Sequence, residues 1–175
     1  MILIAFCLGA TSGCSTAGGD ASSSPGATNG SPLSTDLRPG EACVPVRLMP
    51  ALVGAGVLTP TQGTITIKTV SLGQSEGVSV AHAYLLPIAP NAVGVLSDPP
   101  TSQELTQAGP LGWEKRMDAA GATLAASDGG RQLAVGVTSA APNGTAQDIV
   151  VTYSHDGKDY QLHVPLRIRA PSGAC

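Results

Sequence analysis

Residues 148–170 carry the pattern that most constrains the fold of this chain. Apolar and polar side chains alternate strictly on both sides of Asp156-Gly157, as expected for half-buried strands whose successive side chains point to opposite faces. An Asp-Gly pair is favoured in a type I′ turn because both turn positions need a positive φ. The turn therefore predicts a β-hairpin with three facing pairs on the apolar face: Tyr153 with Tyr160, Val151 with Leu162, and Ile149 with Val164.

Pro165 interrupts the second strand of this hairpin. A proline has no N–H to donate to a sheet, so it is tolerated at a sheet edge or a bulge. We expect residues 160–169 to form an edge strand, with Arg167 and Arg169 discouraging further pairing.

The region between Cys43 and this hairpin is also rich in strand patterns, with turn residues between them. At 64–72 the apolar positions change parity, which predicts a β-bulge near Lys68–Thr69. Thr101 and Glu104 have the spacing of a capping box, which predicts a short helix over 102–108. About seven short strands and one helix in a loop predict an all-β, antiparallel, immunoglobulin-like β-sandwich over residues 42–175.

The content of charged and aromatic residues limits both the kind of core and the kind of partner that this chain can have. Charged residues make up 12% of the chain and aromatic residues 3%, so the core must consist mainly of Val, Ile, Leu and Ala. The net charge is −3, and no basic stripe with interleaved aromatic residues is present. We therefore expect no nucleic-acid partner, and no motif in the sequence predicts a cofactor.

Cys43 and Cys175 bracket the predicted domain. In an exported protein, such a pair predicts a disulfide that joins the two ends of the domain. Closing a loop of this length stabilises the fold by up to about 4–5 kcal/mol in the chain-entropy description. The alternative is two free thiols.

The N-terminus has the pattern of a secretory leader. Residues 1–13 are apolar, too short to span a bilayer, and end in small residues, as signal peptides do. The sequence Thr11-Ser12-Gly13-Cys14 resembles the lipobox of bacterial lipoproteins. The resemblance implies that Cys14 is lipidated and becomes the mature N-terminus. The alternative is an ordinary signal peptide and a secreted protein.

Residues 14–41 follow as a segment rich in Gly, Ser, Thr and Pro, with almost no large apolar side chains. Such a segment cannot bury enough surface to offset its ordering entropy. It predicts a flexible tether with a reach of roughly 25–30 Å. With the lipobox, this places the domain at the extracytoplasmic face of the cell membrane, which it contacts through a lipid anchor.

The sequence does not predict an enzyme. Ser154-His155-Asp156 contains the residue types of a hydrolase triad, but neighbours in a strand point to opposite faces, and Asp156 is needed for the turn. The pattern Gly-x-Ser-x-Gly occurs at residues 73–77, but these form a predicted turn between two strands, whereas a nucleophile elbow requires a turn from a strand into a helix. The alternative is an enzyme whose residues are dispersed over loops.

Metal binding gives a second alternative, an exported copper carrier on a β-sandwich. The candidate ligands do not cluster in sequence, so we predict no metal site; they are His82, His155, His163, Met49 and Met117. His82 lies in an apolar pattern, which indicates a core histidine.

Two groups of residues are candidates for a binding surface. Gln161, His163, Arg167 and Arg169 share one strand face, which suits an anionic envelope polymer or is simply a solvated face. Trp113 with Lys115 and Arg116 forms a second group, unless Trp113 closes one end of the core. The sequence therefore predicts a non-enzymatic binding module, tethered to the membrane, whose partner is an envelope protein or polymer.

Overall fold

The computed structural model describes residues 31–90 and 93–175, which form an all-β sandwich with one α-helix. The leader and Cys14 lie outside the described residues. The helix, α1, spans Ser102–Ala108, and short 3-10 helices lie at Val46–Leu48, Trp113–Lys115 and Ala126–Asp128. The described part of the chain contains thirteen strands: β1 (Leu33–Thr35), β2 (Gly40–Cys43), β3 (Ala51–Pro60), β4 (Thr64–Gly73), β5 (Val78–Leu86), β6 (Val95–Ser97), β7 (Met117–Asp118), β8 (Thr123–Ala125), β9 (Arg131–Ser139), β10 (Gly144–Ala146), β11 (Asp148–His155), β12 (Lys158–Val164) and β13 (Leu166–Ala170).

The sandwich has two layers. The first is a six-stranded sheet in the order β1-β3-β9-β5-β7, with β6 also pairing with β3. The second layer combines a four-stranded sheet, β12-β11-β4-β8, with a three-stranded sheet, β10-β13-β2. The main core lies between the layers, where Leu133, Ile65, Tyr153 and Ile168 are fully buried. The all-β sandwich is therefore confirmed, whereas the immunoglobulin-like topology stays a prediction.

The hairpin of β11 and β12 organises the second layer. Its register is the predicted one, with Tyr153 opposite Tyr160, Val151 opposite Leu162 and Ile149 opposite Val164. Asp156 and Gly157 have φ angles of 49° and 74°, as a type I′ turn requires. Two further predictions are confirmed: a bulge at Lys68 in the pairing of β4 with β11, and a capping box at the start of α1.

Pro165 separates β12 from β13. β12 pairs with β11 alone among the described strands, which confirms the predicted edge for residues 158–164. The prediction is wrong for β13, which lies between antiparallel β10 and parallel β2. The reason is that Arg169 Nε donates to Oε1 of Glu41 on β2 at 2.6 Å, so its charge supports the pairing that it was expected to oppose.

The fold begins before the predicted boundary at residue 42. The predicted tether over 14–41 is wrong at its C-terminal end, because β1 and β2 belong to the two layers. Leu33 is fully buried in the main core, and Ser31 Oγ lies 2.8 Å from the hydroxyl of buried Tyr153. Backbone pairing and two apolar side chains, buried Leu33 and partly buried Leu37, order this polar segment.

Cys43 and Cys175 form the predicted disulfide. Their Cα atoms are 5.8 Å apart across a sequence separation of 132 residues. The bridge joins the end of β2 to the C-terminal segment that follows β13.

Candidate functional site

The outer face of the six-stranded sheet contains a shallow trough of small residues. Gly54, Ala134 and Gly136 lie next to one another on β3 and β9, facing away from the main core. A Cβ atom at Gly54 would lie 1.9 Å from the carbonyl oxygen of Val93, and a Cβ at Gly136 would lie 2.0 Å from Oδ2 of Asp98. The trough therefore admits residues 93–113, which we name the cover segment.

The cover segment encloses a second, smaller core on this face. Its buried members come from the sheet and from the cover segment: Leu52, Leu86, Val93, Leu111 and Ala134. Trp113 packs against this group and is half-buried. The expectation that Trp113 closes the main core is therefore wrong, because the turn after α1 carries its ring to the outer face of the sheet.

Asp98 is the buried acid of this region. It is 8% exposed, and its Oδ2 atom has no hydrogen-bond partner within the described residues. Burial raises the pKa of Asp98 above its ordinary value of 3.8, and the nearby His82 opposes that shift. The carboxyl group thus lies where ionisation is unfavourable.

His82 lies on this same outer face. The pairing of β5 with β9 contains a bulge between Val80 and His82. Because of this bulge, Val80 and His82 point to opposite faces of the sheet, although they are two residues apart. Val80 packs against the main core, while His82 is exposed and stacks on Tyr84 with ring centroids 5.9 Å apart. The prediction of a core histidine is wrong because the bulge reverses the parity.

Two half-buried aromatic rings and an exposed guanidinium group form a platform, which we name the Trp113 shelf: Tyr84, Trp113 and Arg116. The Tyr84 and Trp113 rings meet edge to face with centroids 5.2 Å apart. The Arg116 guanidinium lies 4.5 Å from the centroid of the Trp113 ring, and its Nη1 donates to the Trp113 carbonyl oxygen at 3.2 Å. Stacking and this hydrogen bond hold a planar cation with donors free for an anionic group.

The shelf borders an open groove of about 560 Å³. Its lining is about equally polar and apolar, and Glu114 and Lys115 are among its polar residues. The residues that form its apolar walls are Pro87, Leu105, Pro110, Leu111 and Trp113. Apolar walls next to a fixed cation are typical of a binding site for a molecule with both apolar and anionic parts.

Glu104 locks the start of α1 to the sheet. Its carboxylate accepts hydrogen bonds from the Ser97 and Thr101 backbone N–H groups, each at 2.8 Å, and from both hydroxyl groups. These hydrogen bonds lower the pKa of Glu104 to about 2. The largest contribution comes from the Ser97 hydroxyl, followed by the backbone donors. The carboxylate therefore stays ionised at neutral pH and fixes β6 against α1.

The other predicted group, with two residues on β12 and two on β13, lies on the opposite side of the molecule, on the outer face of the second layer. All four are exposed: Gln161, His163, Arg167 and Arg169. His163 Nδ1 lies 2.5 Å from Asp148 Oδ2, and Arg169 is paired with Glu41. Only Arg167 lacks an ion-pair partner in the described part of the chain. The two groups of residues named from the sequence therefore lie on different layers of the sandwich.

Arg167 borders a smaller groove of about 360 Å³ where the two sheets of the second layer meet. Its other walls are Pro39, Gly40, Gln74, Gln147, Asp148 and Pro165. Asp148 places an acidic side chain in this groove, as Glu114 does in the groove beside the Trp113 shelf. The shelf differs in its Arg116 guanidinium, which is stacked on Trp113.

Ser154, His155 and Asp156 do not form a catalytic arrangement. The His155 ring is buried over Gly63, and its Nδ1 lies 3.1 Å from the carbonyl oxygen of Thr64. Its Nε2 is 3.3 Å from Asp156 Oδ2, while Ser154 lies on the alternate face of β11. The histidine is therefore engaged in holding the end of the hairpin.

The three histidines are spread over the molecule, with His82 on the first layer and His155 and His163 at opposite ends of the hairpin. In residues 31–90 and 93–175, no group of three or more His, Cys, Asp or Glu side chains could hold a metal ion. The copper-carrier alternative therefore has no structural observation in its favour.

The fold and this site define the chain as an all-β, disulfide-linked sandwich with a covered outer face and an Arg–Trp platform. Comparison of the chain with protein-family models, curated proteins and solved structures finds no match. Within the described ranges, no helix has the length and apolar character needed to cross a membrane.

Proposed function

We propose that this chain is a non-enzymatic binding module of the bacterial cell envelope, anchored by lipid at Cys14 to the extracytoplasmic face of the membrane. The observation that carries the proposal is the Cys43–Cys175 disulfide, because structural disulfides persist in oxidising, extracytoplasmic compartments. The lipobox-like leader supports the anchor.

The Trp113 shelf is the surface that we assign to binding. The guanidinium of Arg116 is held by stacking and has no acidic partner in the described part of the chain, and Lys115 adds a second exposed cation. The adjacent groove supplies apolar walls. This combination favours an anionic envelope component over a neutral one.

The anchor is tested by phase partitioning of cells that express the full chain. We expect the wild type to enter the detergent phase and Cys14→Ala to remain in the aqueous phase. Intact mass measured without reduction should lack the two hydrogen atoms of the Cys43–Cys175 dithiol. A dithiol mass would remove the main support for export.

The binding surface is tested with isolated envelope fractions and a pair of matched charge reversals. We expect Arg116→Glu to lose binding and Arg167→Glu, on the opposite layer, to retain it. Wild-type binding should weaken with added salt, as expected for contacts to an anionic partner. Loss of binding in Arg167→Glu alone would assign the function to the second layer, and equal retention in both variants would contradict an anionic partner.

A further inference from the structure

The contact between the cover segment and the six-stranded sheet contains a buried acid that no other role explains. Asp98 lies at the end of β6, and its backbone N–H donates to the Pro50 carbonyl oxygen at 3.1 Å. Its carboxyl group rests on Gly136, in the middle of the sheet, where any larger residue would displace it. The side chain thus lies at the interface between the cover segment and the sheet.

The protonation state of Asp98 determines whether this contact is favourable. A protonated carboxyl is a neutral group that fits the trough, whereas an ionised one leaves a charge in the interface with Oδ2 unpartnered. An exposed carboxylate would be hydrated, so ionisation favours a state in which the cover segment has moved away. We propose that Asp98 is a pH-sensitive latch, which holds the cover segment on the sheet while protonated and weakens that hold when ionised.

Other titratable and charged groups lie around Asp98 and influence its ionisation. On β5, His82 favours the ionised carboxyl, and burial raises the pKa of Tyr84, with Asp98 acting in the same direction. Arg116 lowers the pKa of Tyr84 and Asp118 raises it. On α1, the carboxylate of Glu104 accepts a hydrogen bond from Ser97, the residue before Asp98. The strands beneath contribute Gly136 and Leu52, which do not titrate.

The sign of the effect follows from the raised pKa. Closure is strongest below pH 3.8, where Asp98 is protonated in both states. Closure weakens as the pH rises from there and becomes constant above the pKa of the closed state. The opening constant rises about tenfold for each pKa unit by which the closed state exceeds the open one.

Amide hydrogen exchange on the full chain tests the latch, with Asp98→Asn as the neutral, near-isosteric control. Rates in the wild type are divided by rates in the variant at each pH from about 3.5 to 7.5, which cancels the intrinsic pH dependence of exchange. We expect this ratio to rise with pH in residues 93–113 and to stay flat in β11 and β12. Emission from Trp113, the only tryptophan, reports the same opening. A flat ratio in 93–113, or equal changes in both regions, would overturn the proposal.

His82→Gln gives a second test that does not depend on the stability of Asp98→Asn. Because His82 opposes the upward shift, its removal should raise the closed-state pKa of Asp98. We expect the opening of 93–113 to level off at a higher pH and with a larger amplitude than in the wild type. An unchanged profile in His82→Gln, with full pH dependence retained in Asp98→Asn, would show that another group controls the segment.

Discussion

The two outer faces of the sandwich differ in what covers them. The outer face of the six-stranded sheet has glycine or alanine at its centre, and the cover segment packs there to form a second core. The outer face of the second layer has hydroxyl-bearing side chains in the corresponding area, and these are exposed or half-buried: Thr66, Thr69, Ser71, Thr123, Thr152 and Ser154. Small residues admit a further layer of chain, whereas β-branched and polar residues leave a sheet face to solvent.

The largest expected difference lies between the two cores. Ile149→Ala, in the fully buried main core, should lower the free energy of unfolding by about 2–5 kcal/mol. Leu111→Ala removes a comparable apolar volume from the second core, but its effect should be mainly a local opening of residues 93–113, with a smaller change in global stability. Denaturant titration and hydrogen exchange measure the two effects. Equal global losses would show that the cover segment unfolds together with the sandwich.

The trough itself is tested by adding a methyl group. Gly54→Ala places a Cβ against the Val93 backbone, so the cover segment must shift at a cost of about 1–3 kcal/mol. Gly94→Ala is the matched control, because nothing lies within 4 Å of a Cβ at that position. Its effect should stay within about 0.5 kcal/mol in the same thermal melts. Similar losses in both variants would contradict the trough.

Glu104→Ala should loosen the cover segment by about 1 kcal/mol, because it removes a capping box and the tie to Ser97. The pKa of Glu104 is lowered to about 2, so its contribution is complete above its ordinary value of 4.5 and is lost as the pH falls towards 2. Melts at neutral and acidic pH should therefore show the wild type approaching Glu104→Ala in acid. A difference that stays constant with pH would contradict an electrostatic role.

The smallest effect on stability is expected on the outer face of the second layer. Lys68 Nζ contacts the carboxylate of Asp159 at 2.6 Å across the bulge, but both side chains are about half-exposed. Lys68→Ala should change the free energy of unfolding by less than about 1 kcal/mol, and added salt should reduce the difference. A larger, salt-independent loss would show that the bulged strand depends on this pair.

Local patterns in the sequence predicted the local parts of the fold. The Asp156-Gly157 turn and strict alternation were sufficient for the hairpin register, and the parity change at Lys68 was sufficient for its bulge. The capping box predicted α1. Each of these depends on residues close together in the chain.

Apart from the Cys43–Cys175 disulfide, the features that depend on distant residues were missed. The partner that makes β13 a central strand is Glu41 on β2, and no local pattern pairs it with Arg169. Gly54 and Gly136 resemble strand-weakening residues until Val93 and Asp98 are placed over them. Trp113 and Arg116 were named as a candidate surface group beside the expectation that Trp113 closes the core, and the stacking that fixes the guanidinium depends on the turn after α1.

The parallel pairing of β2 with β13 bears on the order in which the chain folds. Cys43 lies at the end of β2, and its disulfide partner Cys175 comes 132 residues later. While the chain is being synthesised, β2 is therefore present before its pairing partner β13. Contacts between such distant residues form late and slowly. The second layer therefore cannot be completed before β13 has been synthesised, so the last residues of the chain control when this half of the sandwich closes.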